Sequence, residues 1–172
     1  MNRIYLDNAA TTPMDKAVVS LMTEMMENQF GNPSSIHADG RGVRTKVEEA
    51  RKTVAKLLNT SPSEIFFTSG GTEADNMAIR CTINDLGIKH AITTRSEHHA
   101  VVHTLEELAQ EGLIKLSFVQ LDEKGSVDML HLAKLLAENE RSLVSLMEAN
   151  NEIGNLIDLR AVGESCEKHD AI

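Results

Sequence analysis

The chain has 172 residues, 41% of them hydrophobic, enough for one globular domain with a real core or for a piece of something larger. A formal net charge of -9 and an isoelectric point near 5.2 argue against a nucleic-acid or membrane-surface binder, because phosphate backbones need a basic face and no Lys/Arg cluster appears. The opening "MNRIYLDNAA" lacks the apolar stretch of a signal peptide and no run approaches the roughly 20 apolar residues that span a bilayer, so a cytoplasmic protein without nucleic-acid or membrane partners is expected.

After "TTPMD", residues Val18, Leu21, Met22, Met25 and Met26 recur at helical spacing with Asp15 as N-cap. This predicts a helix ending near "FGNP", its methionine stripe serving as core filling. A second amphipathic helix carries Val43, Val47, Ala50, Val54, Leu57 and Leu58 and is broken by "NTSPSE". From Glu64 the pattern alternates. The strand "EIFFTS" leads to a helix from Thr72 to about Leu86, then the strand "KHAITT" and a helix from about His99 to Glu111. The strand "IKLSFVQL", a helix from about Val127 to Ala137, the strand "SLVSLM" and a helix from about Leu159 to His169 complete the order. Repeated strand-helix units predict an α/β fold with a mainly parallel sheet flanked by helices. No repeat, low-complexity run or linker marks a second domain. Cys81 and Cys166 fall in helical patterns and form neither a disulfide framework nor a C-x-x-C pair, and both are expected to be reduced, buried thiols.

Ligands of parallel sheets lie beyond the carboxyl ends of the strands, which directs attention to "GGTEADN", "RSEHHA", "DEKG" and "EANNEIG". The stretch "SGGT" at a strand-to-helix turn has the makings of a phosphate cup, since a helix start exposes unpaired N-H groups and glycine lets a phosphate approach the backbone. It is neither a Walker loop, lacking the following lysine, nor a G-x-G-x-x-G turn. A capping box of Thr72 and Asp75, binding nothing, explains the same residues, and the motif alone leaves both readings open. In "SEHHAV" an imidazole could stack on a heteroaromatic ring and exchange protons near neutral pH, or simply cap a helix. His99 and His103 stand four apart as zinc ligands do, but no third ligand accompanies them and no metal site is expected. The carboxamides of "NNEIG" could serve an anionic oxygen or form an ordinary loop.

Five motifs, "YLDNAATTP", "FGNPSSIH", "EIFFTSGGTEADN", "TRSEHHAV" and "VSLMEANNEIG", resemble in order and spacing the N-terminal part of the pyridoxal-phosphate-dependent cysteine desulfurases of the NifS and IscS type, members of the class V aminotransferases of fold type I. The resemblance runs from Tyr5 to the end of the chain. It implies that Gly71 and Thr72 hold the phosphate of pyridoxal 5'-phosphate and that His98 stacks on its ring and moves protons. It further implies that Asn151 contacts the phenolic oxygen and the substrate carboxylate, while Asn8, Ala9 and Ala10 belong to a segment closing over the substrate. Position 71 is alanine in many relatives, and His99 falls where they often carry lysine.

The implied reaction removes sulfur from L-cysteine to leave alanine and an enzyme persulfide, whose sulfur passes to an acceptor or iron-sulfur scaffold protein. A homodimer is implied for a complete member. Selenocysteine lyases and other class V enzymes share these N-terminal signatures, and a non-catalytic fragment is the alternative outside enzymes. The family pattern continues well past position 172. Residues 1–172 are therefore expected to be the N-terminal segment plus the first part of the cofactor-binding large domain, without the rest of that domain or the small C-terminal domain. The family's aspartate for the pyridine nitrogen, the cofactor-bearing lysine, the substrate arginine and the sulfur-accepting cysteine have no counterpart in this chain. Alone it is expected to be inactive and, with a sheet edge and helix faces uncovered, poorly soluble.

Overall fold

The structure, a computed structural model, describes residues 4–172 and contains two compact units, residues 4–67 and Thr68–Ile172. No shift in composition marks that boundary.

The first unit contains helix α1, Lys16–Asn28, and helix α2, Ala38–Leu57, followed by a short 3-10 turn at Pro62–Glu64. Asp15 caps α1 as predicted, its carboxylate accepting from the Ala17 N-H at 2.8 Å. The methionine stripe is not core: no residue of α1 is buried, and Met26 is 70% exposed. On α2 only Gly40 and Ala55 are buried, while Leu57 and Leu58 lie open to solvent. Both helices thus have the amphipathic spacing expected, but this unit does not itself bury their apolar faces. One close approach explains a pair of glycines. A Cβ on Gly31 would lie 2.6 Å from the Asp39 carbonyl oxygen, and one on Gly40 2.5 Å from that of Asn32, so the "FGNPSS" loop rests directly on the start of α2.

The predicted strand "EIFFTS" does not form. Glu64 ends the 3-10 turn, where it completes a capping box with Ser61, and residues 65–68 have no ladder partner. Phe66 and Phe67 remain exposed, and Arg51 stacks over Phe67 at 4.9 Å.

The second unit is the predicted α/β arrangement. Helix α3, Gly71–Asp85, precedes strand β1, His90–Thr93; helix α4, His99–Gln110, leads to strand β2, Lys115–Phe118. Helix α5, Met129–Ala137, strand β3, Ser142–Val144, and helix α6, Leu159–Lys168, complete the unit. The strands form one parallel sheet in the order β2-β1-β3, and Ile172 adds a pair of parallel-type bonds to β3 through the Ser142 carbonyl and the Val144 N-H. Central β1 is buried along its whole length, as a strand covered on both faces must be. On one face Ala91 and Leu143 pack with Ile79 and Ile83 of α3 and Val101, Leu105 and Leu108 of α4. On the other, Ile92 packs with Val119 and with Leu132 and Leu136 of α5, and Val162 of α6 lies against that cluster. Among the described residues no helix is long and apolar enough to cross a membrane. Cys81 is exposed on α3, correcting the expectation of a buried thiol. Cys166 is half-buried, and burial pushes its thiol pKa up.

At the amino end of the sheet, side-chain hydrogen bonds cross all three strands. His90 Nδ1 lies 2.7 Å from Ser142 Oγ and its Nε2 2.8 Å from Ser117 Oγ. The Ser142 hydroxyl donates to the Glu140 carbonyl at 2.8 Å, so it must accept from His90 Nδ1-H, which leaves Nε2 to accept from Ser117. The neutral ring is thereby fixed in one tautomer. Burial, with a smaller push from Lys115, lowers the His90 pKa from its ordinary 6.5. An unfolded chain then binds the proton more readily than the folded one. This contribution to stability is complete above pH 6.5 and is lost as the pH falls from 6.5 through the lower folded-state value. His90→Ala should cost about 3 kcal/mol in denaturant melts at pH 7.5, from the cavity and the orphaned hydroxyls, and should flatten the stability-pH curve below 6.5.

Candidate functional site

The second unit collects polar groups at the carboxyl ends of β1 and β3. The loop after β1 runs from Thr94 to His98, and His98 is the N-cap of α4, its Nδ1 accepting from the Ala100 N-H at 3.1 Å. That bond places the proton of the neutral ring on Nε2, which makes no hydrogen bond among the described residues. The capping role expected of a loop histidine is therefore real, and it also fixes the ring so that Nε2 is available.

The loop after β3 is folded by Asn150. Its Oδ1 accepts from the N-H groups of Glu152 and Ile153 at 2.9 and 3.1 Å, and its carbonyl accepts from Gly154 at 2.8 Å. Gly154 has φ +73, a conformation that side-chain-bearing residues rarely adopt. Within this turn Asn151 is exposed, its Nδ2 donating to Glu152 at 2.9 Å while its Oδ1 carries no bond among the described residues. A cavity of about 100 Å³ is lined by His98 and Asn151 together with Ser96, Glu97, His99, Met147 and Glu152.

Gly71 and Thr72 open α3, whose N-cap is Gly70 with no side-chain cap. The capping box of Thr72 and Asp75 does not form. Glu73 instead folds back to accept from the Ser69 N-H and hydroxyl, both at 2.6 Å, and those two bonds, the hydroxyl foremost, hold its carboxyl below the ordinary carboxylate range. Among the described residues, the first-turn N-H groups of α3 are left without side-chain acceptors, and a Cβ on Gly70 or Gly71 would meet nothing within 4 Å. The other helices differ: Asp15, His37, His98, Asp128 and Asp158 each cap their own with a side chain. Open space, free N-H donors and the positive end of the helix dipole suit an anionic oxygen group. Gly71 and Thr72 do not line the cavity of His98 and Asn151, but Asn76 ties the two regions together. Its Nδ2 donates to the Thr72 carbonyl at 2.9 Å and to the Ala100 carbonyl at 3.4 Å, and Thr104 donates to its Oδ1 at 2.9 Å.

Asn8, Ala9 and Ala10 lie in a turn of the first unit, where the Ala10 N-H donates to the Asp7 carbonyl at 3.3 Å. His99 and His103 face each other on α4 with ring centroids 4.8 Å apart, and among the described residues no group of three His, Cys, Asp or Glu could hold a metal ion.

The aminotransferase class-V family matches residues 4–172. The chain belongs to that family. Class-V relatives include the putative cysteine desulfurase IscS 1 of Bacillus subtilis (strain 168), 44% identical over 174 residues, covering 99% of this chain and 45% of the relative. Among solved structures, a NifS-like protein superposes with a TM-score of 0.91 at 37% identity, over 98% of this chain and 46% of that one. A structure described as SspA in complex with cysteine gives 0.87 at 28% identity, over 97% of this chain and 48% of that one. The chain thus spans under half the length of the relatives it matches. The class-V fold is the one observed here, helices flanking a parallel sheet.

Two residues of the site escaped the reading of the class-V motifs. Asn150, the first asparagine of "NNEIG", folds the loop that presents Asn151 and donates from Nδ2 to the Ser96 carbonyl at 2.9 Å. Glu97 accepts from the Met147 N-H across the gap between the two loops. Burial pushes the Glu97 carboxyl up and the charge of Asp75 adds to it, while the bonds from Met147 and Thr94 oppose the shift. A carboxylate just past a strand end, next to a histidine, was the available signal.

Because no described residue occupies the space beside Gly71, Gly71→Ala should keep the fold and raise stability by about 0.4–1 kcal/mol by restricting the unfolded chain. Denaturant melts measure this, and a loss of stability would mean that the first turn of α3 is more confined than its open surroundings indicate.

Proposed function

We propose that this chain supplies the phosphate-, ring- and substrate-facing contacts of a pyridoxal 5'-phosphate-dependent cysteine desulfurase. Residues 1–172 then constitute the N-terminal segment and the first part of the cofactor-binding large domain of a cytoplasmic, homodimeric enzyme. The observation that carries the reading is α3, left uncapped at Gly71 and Thr72 and tied by Asn76 to the helix that His98 caps. The residues fit the cofactor in kind: donors for a phosphate, a flat imidazole for a ring and a carboxamide for an oxygen. The substrate is L-cysteine, in keeping with the desulfurase name of the Bacillus relative.

Each residue has a definite task. The N-H groups of Gly71 and Thr72, with the Thr72 hydroxyl, hold the phosphate, where charge-assisted bonds count for more than neutral ones. His98 offers its ring face for stacking and its Nε2 for proton exchange, its orientation held by the bond from Ala100 to Nδ1. Asn151 Nδ2 donates to an anionic oxygen of cofactor or substrate, and Asn8 and Ala9 belong to the segment that closes over L-cysteine. Bound cofactor supplies the electron sink for chemistry at the substrate α-carbon. Overall, L-cysteine and an enzyme thiol become alanine and an enzyme persulfide, the sulfur then passing to an acceptor or iron-sulfur scaffold protein. Neither Cys81, exposed on α3, nor Cys166, whose thiol pKa burial raises, is assigned to that step.

Titration with pyridoxal 5'-phosphate and separately with pyridoxal, followed by absorbance, tests the phosphate contact. The phosphate-bearing compound should bind at least about tenfold more tightly, and Thr72→Ala should remove much of that difference, as loss of a bond to a charged group implies. Equal affinities would overturn the assignment. His98→Phe, which keeps a flat ring, should retain more affinity than His98→Ala, although both lose the α4 cap.

A further inference from the structure

The parallel ladder between β1 and β3 ends at Ile92 and Val144, yet the chains that leave it remain fastened together. The Ser145 N-H still donates to the Ile92 carbonyl at 3.0 Å, and the Thr93 hydroxyl donates to the Ser145 carbonyl, also at 3.0 Å. Two further side chains continue outward: Glu97 Oε1 accepts from the Met147 N-H, and Asn150 Nδ2 donates to the Ser96 carbonyl at 2.9 Å. These bonds join residues about 50 positions apart, both donated from the β3 side and accepted on the β1 side, and they flank the cavity that His98 and Asn151 share.

Glu97 is the unusual member. It is half-buried, among the described residues it has no cationic partner, and Arg95 two positions earlier is turned away over the Phe118 ring at 4.2 Å. A carboxylate placed so is costly unless it is needed where it stands. Among the described residues, the only other hydrogen bond holding its loop to the neighbouring one comes from Asn150, whose side-chain oxygen is committed to folding its own turn.

We propose that Glu97 is a positioning residue: by holding the Met147 N-H it sets the spacing between the His98 and Asn151 loops, and so keeps both side chains on one cofactor-facing cavity. The inference rests on the function proposed above, which the cofactor titration tests separately. Glu97→Gln can keep the acceptor for Met147 and place its new amide toward Thr94, whereas Glu97→Ala cannot hold the loop. Groups facing Glu97 are Asp75 from α3, Thr94 of its own loop and Met147 from the β3 side.

The test uses the full chain labelled with ¹⁵N. In the parent protein the Met147 amide shift should follow a carboxyl titrating above the ordinary 4.5, and in Glu97→Gln it should not titrate. Glu97→Ala should speed exchange of the Met147 amide at least about tenfold and move the His98 ring and Asn151 side-chain signals, while Glu97→Gln leaves them near their parent positions. Affinity for pyridoxal 5'-phosphate should fall about tenfold in Glu97→Ala and recover in Glu97→Gln. Unchanged His98 and Asn151 signals in a folded Glu97→Ala protein would overturn the proposal, as would equal loss of affinity in the two variants. Failure of the parent protein to bind the cofactor, with the loop signals behaving as expected, would instead sink the functional reading and leave Glu97 as the holder of both loops.

Discussion

Strand β1 is the element on which the second unit depends. It is paired on both edges by parallel neighbours and covered on both faces, so each residue from His90 to Thr93 is buried. Such a strand must find partners for every polar group it carries. His90 answers at the amino end with its two serine partners, and Thr93 answers at the carboxyl end by reaching the Ser145 carbonyl. The amino end is thereby closed and structural. The carboxyl end opens into loops, and the order β2-β1-β3 puts the crossover beside β1, where ligands of parallel sheets bind.

The alternation of strand and helix after residue 70 was legible because buried parallel strands read as short apolar runs and their covering helices as 3.6-residue patterns. All four helices and all three strands of that unit lie where the pattern put them, with the strands shorter than their apolar runs. The run "EIFF" carried the same signal without the same outcome. Ser61 and Glu64 close a capping box that commits the chain to a 3-10 turn, and no neighbouring strand among the described residues pairs with residues 65–68. Apolar composition marks a wish for burial, and hydrogen-bonding partners decide whether a strand results. The same distinction applies to α1, whose spacing was right and whose burial was not: periodicity identifies the apolar face but not what covers it.

At the site, the residue types were readable and their connections were not. His98 and Asn151 were identified through the resemblance, and they do share a cavity. Glu97 and Asn150 lay inside the same motifs without an evident part to play, since bonds between residues 50 and 54 positions apart leave no periodic trace. Thr72 shows the converse difficulty. Its spacing to Asp75 fits a capping box, but Glu73 and Ser69 satisfy each other first and leave the helix start bare. A motif template that scores one pairing cannot register that a neighbour offers a better one.

The bare helix start also reconciles an acidic protein with an anionic ligand. An excess of 26 acidic over 17 basic residues opposes binding to a long polyanion, which needs many cations spread along a face. A single phosphate needs only a local donor set, and charges more than about 8 Å away are largely screened at physiological ionic strength. Glu73 is the acidic residue of the first turn of α3, and its oxygen accepts from the Ser69 hydroxyl and N-H and not from the free N-H groups of that turn. Leaving α3 with Gly70 as its cap forgoes about a few tenths of a kcal/mol that a Ser or Asp there would contribute. With five other helices capped by side chains, that omission is the exception among the described residues, and a bound phosphate would restore the missing acceptors where they are absent.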